Sequence, residues 1–291
     1  MGHHHDHNEE GNIKVAFFLN VSFTIIELIG GIYTNSLAIM SDALHDFGDS
    51  LSIGLSWYLQ RVSGKAKDQK FSYGYRRFSL LGAIINSVVL LVGAIFILSQ
   101  AIPQLFDPEE SDAQGMVVLA VVGILVNGVA VLRLKKGSSI NAKVVSLHLI
   151  EDVLGWVAVL IGSIIMILVD APFIDPLLSI LISAYVLFNI YRNIKQSFMI
   201  ILQGIPQNVN IDEIKTILVN IPEVVSIHDC HVWSMDGEYN VLSIHLVLDK
   251  NYSLAQQDGI KRKIRKLLKP ENVHHATIEL DVDEDCGMEE C

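Results

Sequence analysis

Six stretches of mainly apolar residues, at 15–33, 37–59, 78–101, 116–134, 144–169 and 174–191, constrain this chain more than any other feature. Each approaches the ~20 residues that an α-helix needs to cross the hydrocarbon of a bilayer. The composition agrees, with 51% hydrophobic and only 18% charged residues, where a soluble domain carries about a quarter charged. The fold class expected is therefore a multi-pass α-helical membrane protein with six transmembrane helices.

The connections sort by charge. The loop after the second stretch carries Arg61, Lys65, Lys67, Lys70, Arg76 and Arg77, and the loop after the fourth carries Arg133, Lys135, Lys136 and Lys143. Arg192 and Lys195 come directly after the sixth stretch. In contrast, the third-to-fourth loop is acidic, with Asp107-Pro108-Glu109-Glu110, and the fifth-to-sixth connection has Asp170 and Asp175 without a base. An excess of Lys and Arg marks cytoplasmic loops, so both termini are expected in the cytoplasm. No short apolar run with a cleavage site opens the chain, so the first hydrophobic segment is expected to stay in the product.

After Gly204 the pattern changes to that of a small soluble domain. Residues 211–221 have helical spacing, 224–235 are a β-branched run, and Asp236-Gly237 signals a hairpin turn. Residues 239–248 alternate as a strand, 253–268 form a basic amphipathic helix, and 273–282 a last strand. The order αββαβ predicts a C-terminal cytoplasmic α+β domain. The chain then divides into a His-rich tail (1–12), a membrane domain (13–204) and a cytoplasmic domain with a cysteine-containing tail (205–291). Residues 208–291 hold 8 Lys and Arg against 16 Asp and Glu, a balance that suits cations and argues against nucleic acid. Cys230, Cys286 and Cys291 are too few and too clustered for a secreted disulfide framework and read as thiols or metal ligands. The opening His3-His4-His5-Asp6-His7 reads either as a tag remnant or as a native metal-gathering tail.

An ionisable residue at bilayer depth normally faces a bundle interior and marks a pathway or site. The second helix carries His45-Asp46-Phe47-Gly48-Asp49, and the fifth carries His148-Leu149-Ile150-Glu151-Asp152. Both contain His-x-x-x-Asp, and positions i and i+4 share a helix face about 6 Å apart along the axis. Two such helices face to face supply two nitrogens and two oxygens. That set closes a tetrahedral shell, which suits Zn²⁺, whereas Mg²⁺ or Ca²⁺ favours more oxygens. Asp46 and Glu151 lie on other helix faces. With Glu27 and Asp42 they are candidates for lining the pathway or supporting the ligands, and Asn20 and Asn127 for hydrogen bonding between helices.

These motifs, with Asn35-Ser36-Leu37-Ala38, Ser41-Asp42-Ala43-Leu44-His45 and Tyr73-Gly74-Tyr75-Arg76-Arg77, resemble those of the cation diffusion facilitators, a family of metal–proton antiporters, over essentially the whole chain. The resemblance implies six helices with cytoplasmic termini, a metallochaperone-like cytoplasmic domain, a homodimer and a bacterial plasma (inner) membrane. It implies that His45, Asp49, His148 and Asp152 form the transport site, with zinc preferred over cadmium. It further implies a cytoplasmic metal site of His228, His245, His274 and Asp281. His231, His275, Cys230, Cys286, Cys291 and the N-terminal histidines are further candidate ligands there. Some relatives bind a second metal in the second-to-third loop through an Asp and two His; here Asp68-Gln69-Lys70-Phe71-Ser72 offers no His, so no loop site is expected.

No Walker A motif and no His-Glu-x-x-His occur, so neither ATP nor a simple intramembrane protease is indicated. Asp46-Phe47-Gly48 matches a kinase tripeptide without the rest of that signature. The expected activity is zinc efflux, with Cd²⁺ or Co²⁺ as further substrates, in exchange for protons, with metal binding in the cytoplasmic domain regulating the dimer. The chain is expected to be no enzyme and to need no organic cofactor. Imidazole binds metal only when deprotonated, so metal and proton compete for one site. Two other readings stay open here: a membrane-anchored zinc sensor, which has no need of paired ligands at bilayer depth, and a passive metal channel.

Overall fold

The computed structural model describes residues 6–134 and 140–282, with the side chains of a few stretches, among them 6–17 and 133–148, left aside. Six long helices come first: α1 (Asp6–Thr34), α2 (Leu37–Ser63), α3 (Phe78–Gln104), α4 (Ala113–Leu134), α5 (Ile140–Val169) and α6 (Ile174–Ile201). They begin and end near the apolar stretches, except that α1 begins nine residues before the first stretch and α6 runs ten residues past Tyr191. By length and hydropathy, Phe78–Gln104, Leu149–Val169 and Ile174–Ile201 qualify as membrane spans among the described residues, and Ala113–Val129 is a shorter apolar helix. The second helix is less apolar because it carries Asp42, His45, Asp46 and Asp49. The outer faces expose Val92, Leu125 and Leu168, which suits lipid.

The chain forms two compact units, one of residues 1–59 and 82–193, the other of 60–81 and 194–291. In the first, the helices pack through small residues. A side chain added at Gly48 would strike Leu90, one at Gly93 would strike Leu44, and one at Gly123 would strike Trp156. Phe23, Ile39, Met116, Trp156 and Val159 are buried together at the centre.

The junction of α1 and α2 shows why its sequence reads Asn-Ser-Leu-Ala. Asn35 takes a left-handed conformation (φ 52°), which Asn tolerates better than most residues, and the chain reverses there. The first amides of α2 lack partners within the helix. Ser36 Oγ accepts from the Ile39 amide, and Asp175, the second residue of α6, accepts from the Leu37 amide at 2.8 Å, the Ala38 amide at 3.3 Å and the Ser36 hydroxyl. A carboxylate is favoured at a helix N-terminus. Asp175 is wholly buried, so α6 fixes where α2 begins.

In the second unit, α7 (Ile211–Val219) is capped by Asn210, whose side chain accepts from the Asp212 and Glu213 amides. β1 (Val224–Ser234) pairs antiparallel with β2 (Asn240–Leu248), and β3 (Val273–Asp281) pairs parallel with β2, in the order β1-β2-β3. A parallel pairing needs a crossover, which α8 (Leu254–Leu268) provides. Leu242, Ile244 and Leu246 of the central strand are fully buried with Ile214, Leu218, Ile264 and Leu268 of the helices. The expected αββαβ domain is the one observed.

Replacing Asp175 with Ala removes a buried charged acceptor from two amides and a hydroxyl. The expected loss is about 2–4 kcal/mol of stability, read as a lowered melting temperature of the purified protein, with Asp175→Asn falling between. An unchanged melting temperature in Asp175→Ala would show that the start of α2 is held by other means.

Candidate metal centres

The relative directions of the helices are set by their contacts. Asp175 meets residues 36–38, and Ser183 Oγ lies 3.0 Å from Ser41 Oγ, so α2 and α6 run the same way. The turn between α5 and α6 is short, and a side chain added at Gly162 would meet Leu178 and Ile174, so those two run oppositely. Hence α2 and α5 are antiparallel. They approach at Asp42 and Gly155, where an added Cβ on Gly155 would lie 3.6 Å from Asp42 Oδ1. With equal rise per residue, moving three residues along from that contact sets His45 level with Asp152. Moving seven sets Asp49 level with His148.

Within α2, His45 Nε2 lies 3.7 Å from Asp49 Oδ2 across one helical turn, and both side chains are partly buried. That is close to the ~3.3 Å between ligand atoms about 2.0 Å from a tetrahedral Zn²⁺. Asp152 is half-buried on α5, while the side chain of His148 lies outside the described residues. Glu27, Asp42 and Asp46 are 1, 6 and 4% exposed, and Glu27 faces Asp42, Asp46 and Asp152 closely enough to lie in their field. Glu151 is exposed instead. Asn20 donates to the Asp46 carbonyl and to Ser50 Oγ, joining α1 to α2, while Asn127 is buried in α4.

The cytoplasmic domain brings a second group together across its sheet. His228 pairs with His245, and His245 with Glu279, in neighbouring strands. His245 Nδ1 is 3.3 Å from Asp281 Oδ2, His245 Nε2 is 3.4 Å from Glu279 Oε2, and His228 Nε2 is 3.7 Å from Asp281 Oδ2. These too are ligand-to-ligand separations of a tetrahedral metal shell. Alternation along β2 and β3 turns His245, Glu279 and Asp281 to the face opposite Leu246 and Ile278. Near His228 the pairing slips, and Asp229 has φ 48°. This bulge brings Asp229 within reach of His228 and His245.

His274 does not join them. It stands five residues before Glu279, about 16 Å along the strand. Its Nδ1 accepts from the Asn240 amide, and its ring packs on Tyr239 at 5.2 Å. The residue beside His245 on β3 is Glu279, which sequence reasoning missed. The strand alternation Thr277-Ile278-Glu279-Leu280-Asp281 held the signal, because it puts Glu279 on the face of Asp281. His231 is exposed, and His275 meets Tyr73 at 6.0 Å. Cys230 packs against the hydrophobic core, and burial pushes its thiol above the usual range, against metal ligation. Cys286, Cys291 and the histidines of the N-terminal run lie outside the described residues or side chains.

Asp68, in the loop between α2 and α3, accepts from the Tyr75 hydroxyl at 2.7 Å and from the Lys70 and Phe71 amides. Phe71, Tyr75 and Phe78 pack ring against ring around it. Hydrogen bonding, first from Tyr75 and then from the two amides, holds the Asp68 carboxyl below the usual carboxylate range.

Two sequence models of one family match the chain: the cation efflux transmembrane domain at residues 13–202, and the cytoplasmic domain of the cation efflux protein at residues 206–283. The chain belongs to the cation efflux family, the cation diffusion facilitators. A cadmium, cobalt and zinc/H(+)-K(+) antiporter of Bacillus subtilis is 32% identical, over 96% of this chain and 92% of that protein. The zinc transporter ZitB of Pectobacterium atrosepticum is 32% identical over 100% and 92%. The metal cation efflux system protein CzcD of Cupriavidus metallidurans is 31% identical over 97% and 90%. This cation efflux chain is thus an integral membrane transporter of metal cations rather than an enzyme.

A lowered carboxyl pKa stabilises the folded loop above the ordinary aspartate value, and that contribution disappears as pH falls through the lowered one. Tyr75→Phe removes the first of its causes. The Asp68 carboxyl should then titrate at higher pH, followed by carboxyl-carbon NMR; an unmoved titration would exclude Tyr75 as the cause.

Proposed function

We propose that the chain exports Zn²⁺ from the cytoplasm in exchange for protons, with alternating access around His45, Asp49, His148 and Asp152. The observation that carries this reading is the antiparallel register of α2 and α5. Counted along the helix axes from the Asp42–Gly155 contact, position 45 is level with position 152 and position 49 with position 148, which supports a site shared by the two His-x-x-x-Asp pairs. Two nitrogens and two oxygens suit Zn²⁺ and tolerate Co²⁺ and Cd²⁺. Relatives named for zinc, cadmium and cobalt support the same range.

Proton coupling is supported by charge. Glu27, Asp42, Asp46, Asp49 and Asp152 lie on helices without a Lys or Arg at that depth. A divalent ion balances two of these negative charges. Uncompensated carboxylates are costly in a membrane interior, so the remainder call for protons or another cation. The relative whose name includes both H(+) and K(+) makes potassium the second counter-ion to test.

In the cytoplasmic domain, His228, His245, Glu279 and Asp281 are proposed to hold regulatory Zn²⁺, replacing the set that included His274. Imidazole and carboxylate donors fit zinc there, and each needs only to be deprotonated to bind it. A homodimer, in a bacterial plasma membrane with both termini cytoplasmic, completes the reading.

Asp49→Ala and Asp152→Ala should each abolish zinc uptake into inside-out vesicles driven by a pH gradient, and pH-driven uptake retained in either would remove that residue from the site. Collapse of the gradient should stop uptake in the unmodified protein; continued flux would indicate a channel, and no flux at all a sensor. Glu279→Ala should lower the zinc bound per chain in a transport-site variant, whereas His274→Ala should not.

A further inference from the structure

Charge in the C-terminal domain is segregated. Residues 208–291 hold 8 Lys and Arg, and six of these fall between 261 and 269: Lys261, Arg262, Lys263, Arg265, Lys266 and Lys269. Lys263 has a partner, with its Nζ 3.2 Å from Glu223 Oε2, and Arg262 Nε donates to the Asp258 carbonyl. Arg262, Arg265, Lys266 and Lys269 are all exposed, and among the described residues no carboxylate lies within ion-pair distance of them. Their spacing is i, i+3, i+4 and i+7, which is one face of a helix. The opposite face of α8 buries Ile260, Ile264 and Leu268. A Cβ added at Gly259, three residues before Arg262 on the outer side, would meet nothing within 4 Å, so this face is open.

Folding does not call for this stripe. Like charges three and four positions apart oppose a helix, and all four cations stand in such pairs. The helix dipole favours cations in the last turn, which accounts for Arg265 and Lys266 but not for Arg262 before them. The topology brings an opposite charge to the same place. β3 pairs parallel with β2, with Asp281 beside Val247, so the crossover helix α8 runs back between them and begins at the end of the domain where β3 finishes. β3 is an edge strand. From there the sequence continues Asp283-Glu284-Asp285-Cys286-Gly287-Met288-Glu289-Glu290-Cys291, with five carboxylates and no cation. Extended, these residues span about 30 Å, and the fifteen residues of α8 rise about 22 Å. Asp283–Asp285 come at about 3–10 Å along an extended tail and Glu289 and Glu290 at about 23–26 Å. Arg262 lies about 12 Å and Lys269 about 22 Å from the start of α8, so the two acidic groups can stand level with the two ends of the stripe.

We propose that residues 283–291 dock along the outer face of α8, with their carboxylates against Arg262, Arg265, Lys266 and Lys269. Ile278 of β3 is buried with Ile264 of α8 in one core, whereas His245, Glu279 and Asp281 face the other way. Docking on α8 therefore holds Cys286 and Cys291 on the side of the sheet away from the histidine cluster. The thiols then stay out of that cluster's ligand set, and the basic face is covered against other anions such as lipid headgroups. The docking stands whether or not the cluster holds zinc, because it depends on charge and reach alone.

The test uses the full chain in phosphatidylcholine nanodiscs. A short reagent that joins a thiol to an amine is added, and the linked peptides are identified by mass spectrometry. Cys286 and Cys291 should link to Lys266 and Lys269. The yield should fall about fivefold between about 0.05 and 0.5 M NaCl, as exposed ion pairs are screened. Arg262→Glu with Arg265→Glu leaves both lysines in place and should lower the yield as far. Adding Asp283→Arg, Glu284→Arg and Asp285→Arg should restore it, a rescue that a purely structural role for the two arginines would not give. A tail merely within reach of the lysines would link without regard to charge, so a yield indifferent to salt and to these substitutions would overturn the proposal. Links that vanish in nanodiscs containing phosphatidylglycerol would overturn it too, by assigning the face to lipid. So would protection of Cys286 and Cys291 from maleimide by Zn²⁺ that His245→Ala abolishes, which would place the tail at the histidine cluster.

Discussion

The cost of a carboxylate in a low-dielectric interior orders the whole membrane unit. Each such group forgoes several kcal/mol of hydration unless partners or ions replace the water. Glu27, Asp42 and Asp46 are buried on α1 and α2, and Asp49 and Asp152 are partly so. Their helices must therefore turn these faces inward and leave Ile25, Phe47 and Leu154 outside. Small residues at Gly48, Gly93, Gly123 and Gly155 allow the close approach that this arrangement needs. Packing and charge thus select the same helix faces, which is the consistency that specifies one fold.

Register is a consequence of capping. The first amides of α2 are held by Ser36 and by Asp175 of α6, so the height of α2 is set at its beginning rather than along its sides. His45 lies nine residues below Ser36, a rise of about 13 Å, and any slip at the cap would carry the ligand with it. The contact of Ser41 with Ser183 one turn later repeats the constraint. A site built on helix faces inherits its precision from such fixed ends, since the helix between them is stiff.

Much of this was legible in the sequence where the signal was local. Helix spans, the αββαβ order and the i,i+4 pairing of His45 with Asp49 all depend on residues a few positions apart. Asp236-Gly237 marked its hairpin for the same reason. Pairing between strands was not legible in the same way. The set that the family resemblance implies includes His274, yet the register of β3 against β2 sets Glu279 beside His245. Register depends on where the crossover helix α8 delivers the strand, which is not written in the strand itself. The role of Asp175 was hidden likewise, because its partners at the start of α2 lie more than 130 positions away.

The two candidate centres use similar donors on different scaffolds, and the scaffolds suit different tasks. In the proposed membrane site, α2 and α5 each supply one His-x-x-x-Asp pair, so the two pairs belong to different rigid elements. Ligands divided between two rigid helices can be parted by a small relative movement, which is what release of a transported ion requires. In the cytoplasmic domain, the donors are distributed over three hydrogen-bonded strands, with His245 in the central one facing both Glu279 and Asp281. Parting those ligands would break the ladder. A centre of that kind is fitted to hold an ion and stiffen its sheet, and the helical one to exchange it.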